Sequence, residues 1–83
     1  MDLTVVKRDG TSEPFNYDKL VASITKTGIP VNQGEEISSR VKIWAESSAK
    51  EGNIESSLIR DKIIELLSED FPAEADTYKA YKK

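Results

Sequence analysis

The sequence predicts an α+β domain, an N-terminal β-hairpin packed on a bundle of about four helices. Three observations predict it. A β-branched, apolar run at residues 3–6 is followed by Asp9-Gly10, a hairpin signal. From residue 16 onward, apolar residues recur at helical spacing in four stretches, divided by Gly, Pro and Asn. The chain has 83 residues, room for one core and too little for a cleft between two lobes.

The first strand is Leu3-Thr4-Val5-Val6, apolar and β-branched as a strand requires. Asp9-Gly10 suits a tight type I′ turn, because glycine tolerates positive φ. Ser12 to Phe15 forms the second strand, and Pro14, which cannot donate a ladder hydrogen bond, assigns it to an edge. A lone hairpin is marginal in water, so it must lie on the helices. Asn16 caps the first helix, whose Leu20, Val21 and Ile24 share a face, and Gly28 and Pro30 stop it. Asn32 with Glu35 resembles a capping box for the second helix. Its stripe is Ile37, Val41, Trp44 and Ala45, and Gly52-Asn53 ends it. Ser56 caps a third helix with Ile59, Ile63, Leu66 and Leu67 inward, running to about Ser68. Pro72 opens a fourth, carrying Ala75, Tyr78 and Tyr81. Residues 1–83 read as a single domain, and the absence of a stop signal at Lys82-Lys83 predicts the N-terminal fragment of a longer chain.

Composition narrows the function. Twelve Lys+Arg stand against 15 Asp+Glu, a net charge of -3, the opposite of the basic excess expected for direct nucleic-acid binding. With no Cys and no His, disulfides, zinc fingers, Cys/His nucleophiles and imidazole proton shuttles are excluded. No apolar run approaches the roughly 20 residues of a membrane span, and Met1 opens no secretory leader. The expectation is a cytoplasmic domain, with no membrane partner, that binds rather than catalyses. The chain has no G-x-S-x-G turn, no P-loop and no calcium loop. Glu35-Glu36 and Glu69-Asp70 read as solvated charges near helix ends rather than acid/base pairs.

The charge is uneven. Residues 1–30 hold four cations and four anions, so the acidic excess lies wholly in residues 31–83. Lys7-Arg8-Asp9-Gly10 sits at the hairpin tip, with Lys19 one turn into the next helix. A triphosphate of about four negative charges needs such cations and helix N-terminal N–H groups. The helix start at Asn16 could fold back beside Arg8 to supply them; equally, a charged turn can simply be solvated. Glu13 and Asn16 could offer an acceptor and a donor to an adenine edge, although capping alone explains Asn16. Phe15, Leu20 and Ile59 could sandwich a base, and core packing explains them equally well.

The string from Val5 to Leu20, VVKRDGTSEPFNYDKL, resembles the opening of the ATP-cone domain: a V-x-K-R-D-G hairpin, an acidic residue, an aromatic or aliphatic residue, a helix cap and a K-[LI] pair. The stretch from Ile54 to Ile63 is similar to the family's third helix. The resemblance implies an allosteric domain that binds ATP or dATP, accompanied by Mg2+, without catalytic residues of its own. Members precede the catalytic domain of ribonucleotide reductases, and others occur on archaeal kinases and in a zinc-ribbon repressor. The repressor needs cysteines ahead of the cone, so a reductase start is expected here, with Met1 just before Val5.

By position, the resemblance implies that Lys7 and Arg8 contact phosphates. Val5, Phe15, Leu20 and Ile59 line the base pocket. Glu13 and Asn16 read the adenine edge, Lys19 closes over the nucleotide, and Ser56 and Arg60 approach sugar and phosphate. Some members carry His in place of Arg60. Lys82 or Lys83 is a further phosphate candidate. The partners implied are an adenine nucleotide, the parent's catalytic domain and a nucleotide-dependent oligomer. The alternatives are a helical protein-interaction module that has lost nucleotide binding, or a cone on another enzyme such as an archaeal kinase.

Overall fold

A computed structural model describes residues 3–80. Three short strands and four helices follow in the order β1 (Thr4–Val6), β2 (Ser12–Pro14), α1 (Tyr17–Thr25), α2 (Val31–Ser48), β3 (Asn53–Glu55), α3 (Ser56–Asp70) and α4 (Pro72–Ala80). The predicted α+β class holds, with one strand more than the hairpin supplies. The sheet order is β2-β1-β3: β1 pairs antiparallel with β2 and parallel with β3. Pro14 therefore lies on an edge strand, as its missing N–H requires.

The hairpin turn differs from the expected type I′ form. Lys7 N–H donates to Thr11 O at 2.7 Å and Gly10 N–H donates to Lys7 O at 3.0 Å, so three residues, Arg8 to Gly10, make the loop. Of these only Gly10 has positive φ, 90°. That is the three-residue hairpin loop closing on a left-handed glycine. Asp9 shapes it: its Oδ1 accepts from Thr11 N–H at 3.0 Å and from Thr11 Oγ1 at 2.7 Å. The extra residue sets the register Thr4–Pro14, Val5–Glu13, Val6–Ser12. A two-residue turn would have moved Glu13 to the other face.

Four helix boundaries are corrected. The second helix ends at Ser48, and Gly52-Asn53 instead leads into β3 through a tight turn with Glu51 at φ 53° and Gly52 at φ 80°. Its start is Val31 with Pro30 as N-cap, and Pro30 O takes the Gly34 N–H at 2.9 Å, so Asn32 lies inside the helix and caps nothing. Ser56 is likewise the first residue of α3 rather than its cap, because pairing with Val6 keeps Glu55 extended. The third helix also runs two residues past the predicted Ser68, to Asp70. Asn16 does cap α1, its Oδ1 accepting from Lys19 N–H at 3.0 Å. Pro72 opens α4 as predicted; Tyr81 lies outside the described residues.

The core lies between the sheet and the helices. Ile24, Val41, Ile63 and Leu67 are completely or almost completely buried at its centre, with Ile54 and Ala75 beside them. Each such side chain contributes about 1.5–3 kcal/mol by leaving water. Gly34 lets α1 and α2 approach closely: a Cβ there would meet Thr25 Cγ2 at 2.8 Å. Tyr17 fastens the same pair, its hydroxyl donating to Glu35 O at 2.9 Å. Lys62, its ammonium 5.7 Å from the Trp44 ring centroid, spans α2 and α3.

Candidate functional site

Alternation along the strands sorts the sheet into two faces. Val5 stands opposite Glu13 on one side and Ile54 on the other, so these three share a face. Ile54 is buried, while Val5 and Glu13 are half-buried. The helices thus cover the β3 side of this face and leave the hairpin side partly open. Lys7, two residues beyond Val5, continues the same face, and its Nζ lies 3.3 Å from Glu13 Oε2.

The two ends of the hairpin carry different chemistry. At the tip, Lys7 and Arg8 are exposed. The Asp9 carboxyl is held below its ordinary pKa by the two Thr11 donors first and the Lys7 charge second, so it stays anionic and turned toward Thr11. Parallel pairing of Val6 with Glu55 brings the start of α3 to this end, next along from Lys7. No side chain caps α3, so its first N–H groups and the positive end of its dipole face the same region.

At the other end, Phe15 N–H donates to Leu3 O at 2.9 Å, and the chain passes through Asn16 into α1. This corrects the expectation that the start of α1 folds back beside Arg8: β2 carries it away from the tip by about four residues, roughly 13 Å of strand. Asn16 and Lys19 sit here, both exposed. The Asn16 carbonyl is committed to its cap, which leaves its amide N–H groups as donors.

The apolar residues named from sequence do come together. Leu20 and Ile59 are 8% exposed and belong to the core cluster, and Val5 and Phe15 pack against it half-buried. Val5 and Phe15 are therefore the accessible part of that group. Ser56 and Arg60, both half-buried, are four residues apart on α3 and share one side of it. Arg60 Nη2 donates to Lys79 O of α4 at 2.8 Å. Lys82 and Lys83 lie outside the described residues. Sequence reasoning placed Asp9 in the turn but missed Thr11 as the donor that it accepts from, and Ile54 as the floor beside Val5. The Asp-Gly-Thr string carried the first signal; nothing local carried the second.

A half-open sheet face thus carries cations and an open helix start at one end and a donor amide at the other. Residues 3–83 match the family model described as the ATP cone domain, and the chain belongs to that family. A search of curated proteins gave no match. ATP cones are nucleotide-binding allosteric domains without catalytic function themselves, and the effectors they bind are ATP or dATP.

Proposed function

We propose that one adenine nucleotide lies lengthwise on the open hairpin face. Its phosphates meet Lys7, Arg8, Ser56 and the start of α3, and its base lies over Val5 and Phe15 against Leu20 and Ile59. Asn16 and Glu13 read the adenine edge, Lys19 closes over the ligand from α1, and Arg60 reaches phosphate. The observation that carries this reading is the separation along one hairpin: two cations and an uncapped helix N-terminus at the tip, the Asn16 amide at the other end. Mg2+ enters as the companion of the triphosphate, coordinated by phosphate oxygens and water, since Asp9 is engaged by Thr11 and Glu13 reads the base rather than the phosphates.

The parent enzyme in this reading is a cytoplasmic ribonucleotide reductase whose catalytic domain follows the cone. ATP and dATP compete for one site, and the 2′-hydroxyl biases the oligomer formed. Allosteric coupling of about 1–3 kcal/mol is typical, within reach of one buried hydroxyl contact. Among the described residues no helix is long and apolar enough to cross a membrane.

Isothermal calorimetry with ATP, dATP and GTP tests the site. Heat from both adenine nucleotides and a weaker response to GTP is expected. Silence from ATP and dATP at millimolar concentration overturns the reading. It would favour instead a protein-docking module, for which the exposed Val31, Ile43 and Leu58 supply apolar surface.

A further inference from the structure

Arg60 faces two demands at once. Its Nη2 donates to the carbonyl of Lys79, in the last turn of α4. A guanidinium bonded to a main-chain carbonyl makes a charge-assisted contact, so Arg60 ties α3 to α4. The neighbouring residue, Tyr78, packs on the core, and its hydroxyl lies beside Ser23 of α1 with the Arg60 charge nearby. The last turn of α4 is therefore tied to α3 through Arg60, and Tyr78 packs on the core beside it. Helix α3 starts beside the hairpin tip, and α1 follows from its other end. Arg60 is also one turn along α3 from Ser56, on the side that reaches the hairpin tip.

A phosphate outcompetes a neutral carbonyl for a guanidinium, because the bonds are charge-assisted and often bidentate. We propose that Arg60 is a two-position latch: it holds the Lys79 carbonyl while the site is empty, turns to phosphate when a nucleotide binds, and so releases the last turn of α4. The latch rests on the phosphate placement proposed above. It delivers the signal at the C-terminal end of α4, away from the hairpin that takes the ligand.

Amide hydrogen exchange on the 83-residue chain, run beside calorimetry, separates the latch from the site. With saturating ATP, amides of the hairpin and the first turn of α3 should slow. Those of residues 77–80 should exchange about five- to tenfold faster, the factor expected for losing one hydrogen bond that ties the turn down. Heat and hairpin protection with α4 unchanged or slower would overturn the latch and leave the nucleotide site standing. No heat and no hairpin protection would remove both. Arg60→Gln supplies the second arm: residues 77–80 should exchange fast without nucleotide and gain nothing from ATP. Slow exchange there, at the empty wild-type rate in a variant with native near-UV circular dichroism, would also overturn the latch.

Discussion

Lys7 and Glu13 hold each other at 3.3 Å across the outer end of the hairpin, on the face the helices leave half-open. Their side chains are 46% and 40% exposed, so the pair is worth no more than about 1 kcal/mol. A nucleotide presents its base amine and its phosphates at opposite ends and cannot satisfy both residues while they are paired. Binding as proposed must open this contact, and so weak a contact opens easily.

Replacing Lys7 and Arg8 together by Ala should abolish triphosphate binding. Two charge-assisted contacts disappear, each worth about 1.5–3 kcal/mol, so affinity should fall by at least about a hundredfold. Both positions are exposed, so stability should change by no more than about 1 kcal/mol in total. Calorimetry reads the first effect, and urea unfolding followed by circular dichroism reads the second.

Glu13→Ala should separate base reading from phosphate attraction. Losing one acceptor for the adenine amine should shrink the preference for ATP over GTP by about tenfold. Inorganic tripolyphosphate should bind as well as before or better, because Lys7 no longer has a competing carboxylate. Weaker tripolyphosphate binding would instead mean that Glu13 orients Lys7 for the phosphates.

Asn16→Asp keeps the cap and removes the amide donor. The carboxylate can still accept from Lys19 N–H, so the melting temperature should hold while adenine-nucleotide affinity drops. Asn16→Ala loses both functions and should cost about 1 kcal/mol of stability as well. Equal affinity in wild type and Asn16→Asp would leave Asn16 a cap alone.

Gly34→Ala should destabilise the fold despite alanine's better helix propensity. The new Cβ meets Thr25 Cγ2 at 2.8 Å, and Thr25 is fixed by its own bond to Ala22 O at 3.2 Å. Overpacking of about 1–3 kcal/mol outweighs a propensity gain of about 1 kcal/mol. Thermal unfolding should shift down by several degrees. Thr25→Ser, which deletes the clashing methyl, should recover much of the loss in the double variant.

Legibility tracked how local each determinant is. The four helices were readable because their apolar stripes repeat within each segment, and Asn16 announced its own cap. Asn53-Ile54-Glu55 was not readable as a strand, since three residues with one apolar side chain show no alternation. Its conformation comes from pairing with β1, a partner distant in sequence. The same pairing moved the cap of α3 from Ser56 to Glu55. The cations of the tip were plain in the string, yet the face on which Glu13 falls depended on one extra loop residue. Gly34 was silent because its role depends on which helix crosses it.

The parallel pairing of β1 with β3 also bears on how the chain becomes competent. The central strand precedes α2 in the chain, and one of its neighbours comes only after α2. Such a distant contact must bear its loop-closure entropy before any sheet energy rewards it, and it slows folding. A nascent chain that has not yet reached Glu55 carries the hairpin cations without the start of α3 beside them. In the proposed site, the start of α3 therefore joins the hairpin cations only once the last strand of the sheet is paired.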